Sequence, residues 1–196
     1  MNVSTRWFED KGDETAALNW PINSKSLVWE IGGFEGRWAK QMVDKFHCHI
    51  TIFEPQLWAV ERMATKFGDA QNVIIASYGL WVTDARLGLN RYETDGCSLL
   101  GDDGRAVKAD FRDIYPLVTE DVDVCLMNIE GAEFFLLPYM IGMGLMKHFR
   151  FFWCQFHPGL VPHGDERYNQ IFKGLSHTHH KIWDYYPTAV AWERKE

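Results

Sequence analysis

The sequence lacks any apolar run that approaches the roughly 18 residues needed to span a bilayer, and no repeat or low-complexity tract interrupts its 196 residues. Its first residues, MNVSTRWFEDKGDE, contain no apolar core of a signal peptide. We therefore expect a cytoplasmic protein without a membrane segment.

Basic residues are outnumbered. The chain has 20 Lys and Arg against 27 Asp and Glu, which gives a formal net charge of −7. No block of Lys or Arg stands out, although a protein that binds a phosphate backbone needs a basic stripe or patch. We therefore expect a small molecule, and not a nucleic acid, as the partner.

Metal-binding patterns are also missing. The histidine-rich HTHH (177–180) has no partner cysteine or acid at a spacing that suits zinc. The cysteines form no C-x-x-C pair, and each lies in or beside an apolar segment, which is typical of reduced, buried thiols. They are Cys48, Cys97, Cys125 and Cys154. We expect no metal site.

The composition is that of a globular domain, with 46% hydrophobic and 24% charged residues. Because no internal linker is evident, we predict one domain over residues 1–196. A polar N-terminal cap of turns and a short helix is expected over 1–25. Nine Trp and thirteen Phe indicate an aromatic core or a flat-sided pocket.

Apolar segments and helical periodicities alternate along most of the chain. The predicted main strands are 26–32, 48–55, 72–79, 122–131 and 149–158. The helix that starts near Ala132 is expected to bend or break near Pro138 and the glycines of IGMG. The segments 179–186 and 188–195 predict a closing antiparallel pair.

This alternation predicts an α/β fold with a doubly wound, mostly parallel sheet and helices on both faces. Ligands of such folds bind at the carboxyl edge of the sheet. Residues 80–117 are less regular, and their DG and GDDG turns predict an insert of short strands near that edge.

Glycines and acids follow the first two predicted strands. Gly32, Gly33 and Gly36 separate the first strand from a helix, and such glycines let the backbone approach a ligand. Glu30 lies in this turn, and Glu54 ends the second strand, 24 residues later. This pattern favours S-adenosylmethionine (SAM), with Glu30 facing the methionine part and Glu54 holding the ribose. The glycines could instead serve packing alone.

The dinucleotide-binding pattern G-x-G-x-x-G fits poorly. Aligned from Gly32, it places Phe34 and Arg37 at its later glycine positions. An acid in the turn would also repel a pyrophosphate. A nicotinamide-dependent oxidoreductase is therefore an alternative that the motif does not favour.

Four motifs together resemble the FkbM-type SAM-dependent methyltransferases. They are EIGGFEG (30–36), IFEP (52–55), NIEGAEFFLL (128–137) and CQFHP (154–158). The resemblance extends over about residues 13–193. It implies a class I methyltransferase fold with strand order 3-2-1-4-5-7-6 and an antiparallel strand seven. It also implies methylation of a hydroxyl, with sugars and glycan precursors among the acceptors.

The cofactor-binding residues expected from the residues and the resemblance lie at the ends of four strands. They are Glu30, Gly32, Gly33, Phe34, Gly36, Glu54, Pro55, Tyr78 and Asn128. Tyr78 could stack on adenine or belong to the core. Asn128 and Gln155 stand where many class I oxygen methyltransferases carry metal-binding acids, which disfavours a hard-cation site.

His157 and Glu130 are the candidates for the base that takes the proton of the acceptor. Each has a structural alternative, since His157 could hold the next loop and Glu130 could brace the helix start. Ser98 and His163 are candidate acceptor-binding residues, although a plain turn suits Ser98 as well.

Two further alternatives remain. The chain could bind SAM or its product S-adenosylhomocysteine (SAH) without catalysis. It could also be an RNA methyltransferase, but that group relies on a lysine near the strand-four acid, where this chain has Leu126.

Overall fold

A computed structural model describes residues 3–91, 97–99 and 106–196 of the chain. Its main sheet has seven strands. In chain order they are β1 (Leu27–Ile31), β2 (His49–Phe53), β3 (Val73–Ala76), β8 (Val122–Met127), β9 (Phe149–Cys154), β10 (His179–Tyr185) and β11 (Ala189–Arg194). The spatial order is β10-β11-β9-β8-β1-β2-β3.

Numbered by their own chain order, the strands of this sheet run 3-2-1-4-5-7-6, which confirms the predicted topology. The pairs of β1 with β2, β1 with β8, β2 with β3 and β8 with β9 are parallel. The last strand, β11, runs antiparallel to both β9 and β10. The expected closing antiparallel pair is therefore confirmed.

Helices cover both faces of the main sheet. The helices are α1 (Val3–Glu9), α2 (Arg37–Phe46), α3 (Leu57–Phe67), α4 (Glu133–Gly142) and α5 (Gly164–Leu175). On one face, α2 and α3 pack on strand residues such as Val28 and Ile50. On the other face, α4 and α5 pack on residues such as Cys125 and Phe152.

Four strands within residues 79–91, 97–98 and 107–113 form a second, smaller sheet. It contains β4 (Gly79–Trp81), β5 (Ala85–Arg91), β6 (Cys97–Ser98) and β7 (Val107–Asp113) in the order β4-β7-β5-β6. Leu89, Ala109 and Phe111 form its small buried core. The single strand predicted over 72–79 is wrong in extent, because it ends at Ala76 and Gly79 begins a strand of the other sheet.

Aromatic side chains anchor the N-terminal cap. Trp7 is buried, with its ring centroid 6.2 Å from that of Trp153 and 5.6 Å from that of Trp183. Trp20 packs on Phe151, 5.5 Å between centroids. The cap thus closes the α2 and α3 face near β9 and β10.

Helix α4 continues through Pro138 and ends at Gly142, the first glycine of IGMG, so the expected break lies at the glycines and not at the proline. In α3, Ala59, Met63 and Phe67 are buried, whereas Leu57 at its start is 65% exposed. Within the described residues, no helix combines the length and apolar character required to cross a membrane.

Candidate cofactor-binding and active site

The glycine turn after β1 brings three strand ends together. The Gly32 backbone N–H donates to the carbonyl of Phe53 at 2.9 Å, and the Asn128 N–H donates to that of Ile31 at 2.9 Å. Gly32 has φ +87°, and a Cβ at this position would lie 1.9 Å from the Asn128 carbonyl oxygen. Glycine is therefore required here by both conformation and space.

Glu54 is held at the end of β2 by two backbone groups. Its Oε2 accepts a hydrogen bond from the Phe34 N–H at 2.7 Å, and its Oε1 accepts one from the Gln56 N–H at 2.9 Å. The side chain is buried, and this burial raises the pKa of Glu54, although both backbone donors lower it. A carboxylate has about four acceptor sites, so the two backbone donors leave room for a ligand to bind Glu54.

Glu30 is a buried acid with an unsatisfied oxygen. The residue is 3% exposed, and its Oε2 has no hydrogen-bond partner among the described residues. Burial raises the pKa of Glu30 well above its usual range, against the lowering effect of the Ala39 backbone N–H. An unpartnered buried carboxyl is costly and points to a missing partner.

Glu54 and Glu30 line two different cavities. The first chamber, of about 230 Å³, is lined by Glu54 and Pro55, by Glu130, and by Leu80, Leu89 and Phe111 on its apolar side. The second chamber, of about 210 Å³, is lined by Glu30, Gly33, Arg37, Trp153 and Gln155. The chambers share Gly32, Phe34 and Asn128 as wall residues.

The wall of the second chamber contains further unsatisfied polar atoms. In addition to Glu30 Oε2, Asn128 Oδ1 and Trp153 Nε1 are buried without a partner among the described residues. Two of these atoms are acceptors and one is a donor. A ligand that fills this chamber therefore needs both donor and acceptor groups.

His157 lines neither chamber but lies next to one wall residue of each. Its Nε2 lies 3.5 Å from Oε1 of Glu130, a wall residue of the first chamber. The same Nε2 lies 3.3 Å from Nε2 of Gln155, a wall residue of the second chamber. The His157 side chain is 14% exposed and that of Glu130 is 28% exposed.

Glu133 holds the other side of His157, and sequence reasoning missed this residue. Its Oε1 accepts a hydrogen bond from the His157 backbone N–H at 2.7 Å and lies 3.1 Å from His157 Nδ1. Its Oε2 accepts a hydrogen bond from the Gly131 N–H at 2.9 Å. The side chain is completely buried. The signal in the sequence that could have identified Glu133 is an acid at the start of a predicted helix.

The surroundings of His157 favour its protonated form. Burial lowers its pKa, but the hydrogen bond and charge of Glu133 and the charge of Glu130 outweigh burial, so the pKa of His157 is raised. Burial raises the pKa of Glu130 as well, with His157 lowering and Glu133 raising it. Glu130 has a positive φ of 51°, a strained conformation of the kind found at functional sites.

The remaining candidates lie elsewhere. Tyr78 lines neither chamber and packs on the core, with its ring 5.9 Å from that of Phe53. A Cβ on Gly36 would contact Phe67, so this glycine serves packing. His163 lines a separate groove of about 800 Å³ between α4 and α5. Ser98 contributes its backbone to β6, and its side chain lies outside the described part of the structure.

Cysteine and metal-ligand geometry can also be stated for the described part of the chain. Cys48, Cys125 and Cys154 are buried free thiols, and the Cys97 side chain is not among those described. No group of three His, Cys, Asp or Glu side chains within the described ranges is arranged to hold a metal ion.

No protein-family model and no curated protein matches this sequence. Solved structures do match. The methyltransferase FkbM from Methylobacillus flagellatus KT superposes with a TM-score of 0.58 and 13% identity over 98% of this chain and 48% of its own, so this chain spans about half the length of that protein. A putative rRNA methylase from Clostridium thermocellum gives a TM-score of 0.58 and 9% identity over 95% of each chain.

A putative methyltransferase from Streptococcus mutans, solved in complex with SAH, is also similar. Its TM-score is 0.54 at 11% identity over 96% of this chain and 97% of its own. The chain has the class I methyltransferase fold. At these identities the similarity establishes the fold alone, while activity depends on the side chains described above.

Proposed function

We propose that the chain is a SAM-dependent methyltransferase of the FkbM type that methylates a hydroxyl of a small polar acceptor, such as a sugar or glycan precursor. The observation that carries this proposal is the pair of chambers that meet at Gly32, with Glu54 in one wall and Glu30 in the other. A nucleoside joined to an amino acid has the two unlike ends that these chambers require.

The first chamber suits the adenosine half. Glu54 has acceptor sites left for the two ribose hydroxyls, since each of its oxygens already takes one backbone N–H. Leu80, Leu89 and Phe111 offer an apolar surface to the base. Because the Phe34 N–H of the glycine turn donates to Glu54, a ribose bound at Glu54 would also lie next to this turn.

The second chamber suits the methionine half. An ammonium group could satisfy Glu30 Oε2 and Asn128 Oδ1, which have no partner within the described residues. Trp153 Nε1 and the Arg37 guanidinium could donate to a carboxylate. When bound, SAM supplies an electrophilic methyl group on a sulfonium ion.

His157 then serves as the general base. Its Nε2 lies between wall residues of the two chambers and accepts the hydroxyl proton of the acceptor as the oxygen is methylated. Glu130, 3.5 Å from this nitrogen, stabilises the imidazolium that results. Much of the remaining rate comes from orientation of the acceptor in line with the methyl group.

The charges around the site support a small polar acceptor over a nucleic acid. Arg37 is the single basic residue among the described lining residues of the two chambers, and Glu30, Glu54 and Glu130 are acidic. Phosphate groups require basic partners. Because rRNA methylases share the fold, RNA belongs among the acceptors to be tested.

Calorimetry with SAM, SAH and NAD tests the cofactor. We expect SAM and SAH to bind and NAD to show no heat of binding, with SAM binding reduced in Glu30→Gln and in Glu54→Ala. Tight NAD binding without SAM binding would indicate an oxidoreductase instead.

Transfer of a tritiated methyl group tests the acceptor, with monosaccharides, oligosaccharides and nucleotide sugars in one panel and rRNA fragments in another. Label in the sugar panel supports the proposal. Label in RNA alone would make the chain an RNA methyltransferase. SAM binding without transfer to either panel would favour a non-catalytic SAM-binding protein.

A further inference from the structure

Glu133 is a fully buried carboxylate that no part of the cofactor site uses. Its side chain is 0% exposed and lies in neither chamber wall. Within the described residues its one ion-pair partner is His157. A buried carboxylate is destabilising unless it is paired, so the contact with His157 stabilises Glu133.

The hydrogen-bonding partners of His157 determine which ring nitrogen carries the proton. An ionised Glu133 can only accept, so His157 Nδ1 at 3.1 Å from its Oε1 must donate. The Gln155 side-chain nitrogen can only donate, so His157 Nε2 at 3.3 Å must accept. When the imidazole is neutral, both contacts favour the tautomer with its hydrogen on Nδ1.

We propose that Glu133 is a positioning residue that holds His157 in the Nδ1–H tautomer, so that the lone pair lies on Nε2, the nitrogen that faces Gln155 and Glu130 and on which an acceptor hydroxyl would replace Gln155 as donor. This inference rests on the proposed function, since it gives His157 the form that a base needs. Glu133 itself does not contact cofactor or acceptor. It acts through the imidazole, as carboxylates do that orient a histidine in other sites.

The groups that face this pair come from four elements. Glu130 from the β8–α4 loop faces Nε2 of His157, and Gln155 follows β9. Burial raises the pKa of Cys154 of β9 and that of Tyr186, which follows β10, and the charge of Glu133, in the first turn of α4, adds to both shifts. Glu130 and Glu133 would both stabilise the imidazolium, in which both ring nitrogens are protonated. In the neutral imidazole, Glu133 and Gln155 determine which nitrogen carries the hydrogen.

A purely structural role is the competing explanation. Glu133 also accepts hydrogen bonds from the backbone N–H groups of His157 and Gly131, and so braces two loops. If Glu133 had only this structural role, its replacement would lower the unfolding temperature but would not change the tautomer of His157. The two roles therefore differ in what they predict for the ring nitrogens.

Nitrogen-15 NMR of the full chain, labelled at histidine, tests the proposal directly. At a pH above the transition of His157, we expect the wild type to show a protonated Nδ1 and an unprotonated Nε2. In Glu133→Gln we expect population of the Nε2–H tautomer and a transition at lower pH. His148, whose Nδ1 lies 3.1 Å from Asp121 on the surface, is the internal control and should not change.

Steady-state kinetics with an acceptor that the protein methylates extend the test. We expect Glu133→Gln to lower kcat at least tenfold, with SAM affinity within twofold of the wild type. The acidic limb of its pH profile should move to lower pH. Glu133→Asp keeps the charge, so the transition of His157 should stay nearer that of the wild type.

Two results would overturn the proposal. One is a wild-type His157 in the Nε2–H form, a measurement that needs no variant to fold. The other is a folded Glu133→Gln protein with an unchanged tautomer and pH profile. Because the NMR experiment requires neither SAM nor an acceptor, its failure is distinct from failure of SAM to bind, which would reject the proposed function.

Discussion

The backbone N–H of Phe34 donates a hydrogen bond of 2.7 Å to Oε2 of Glu54. This bond joins the glycine turn after β1 to the end of β2 across 20 residues of sequence. Phe34 adopts a positive φ of 47°, which is uncommon for a bulky residue. Glu54 is thus fixed in place before any ligand arrives, and such preorganisation lowers the entropic cost of binding.

Glu54→Ala should weaken SAM binding by tenfold or more. Hydrogen bonds to a charged group contribute about 1.5–3 kcal/mol each, and about 1.4 kcal/mol corresponds to a factor of ten. The Phe34 N–H also loses its acceptor. Calorimetry measures the effect, with the exposed Glu61→Ala of α3 as the matched control. Equal SAM affinity in the two variants would remove Glu54 from the binding site.

Glu30→Gln should stabilise the ligand-free protein at high pH. The pKa of Glu30 is raised by burial, so the folded state keeps a proton that the unfolded state loses above its own, lower pKa. The contribution of this group to stability is therefore present below the unfolded pKa and lost as the pH rises towards the folded pKa. Glutamine has nearly the same shape as glutamate but does not titrate, so the Glu30→Gln variant lacks this pH dependence.

Thermal unfolding between pH 5 and pH 8 is the measurement for Glu30→Gln. We expect the unfolding temperature of the wild type to fall more over this range than that of the variant. Glu14→Gln, at an exposed position of the N-terminal cap, is the control and should follow the wild type. Parallel curves for all three proteins would show that Glu30 does not titrate as its burial implies.

The order of the main strands was predictable because each is an apolar segment followed by a helical periodicity. The split between β3 and β4 was not, since Gly79 pairs with Phe111, more than 30 residues away. The continuity of α4 across Pro138 also depends on tertiary contacts, because Leu137 and Met140 are buried in the core and hold the helix together.

The positions of two candidate residues could be predicted because they directly follow strands: Glu54 follows β2, Asn128 follows β8, and both line the chambers. Glu30 was expected in the glycine turn, but it lies within β1, from which it reaches the wall of the second chamber. The roles of these residues stay predictions. Glu133 could not be found in this way, because its contact with His157 joins residues 24 positions apart. The local sequence around residue 133 predicts only that an acid lies at the start of a helix.

Gly32→Ala should destabilise the fold substantially. The left-handed region costs a non-glycine residue about 1–2 kcal/mol, and the new Cβ would collide with the Asn128 carbonyl oxygen. We therefore expect the free energy of unfolding in urea to fall by about 2 kcal/mol or more. Gly142→Ala is the control, because no atom lies within 4 Å of its added Cβ. A similar stability of both variants would mean that the turn relaxes easily.

His157→Gln should abolish turnover while SAM affinity stays the same, since a general base contributes about 10²–10⁴ in rate. In the wild type, kcat should rise with pH through the pKa of His157, because only the neutral imidazole accepts a proton. Burial lowers this pKa, but Glu133 and Glu130 outweigh burial and raise it above the usual histidine pKa of about 6.5, so the rise should be centred above that pH. His148→Gln removes a comparable histidine–carboxylate pair from the surface and should leave kcat unchanged. Near-normal turnover of His157→Gln would transfer the role of base to Glu130.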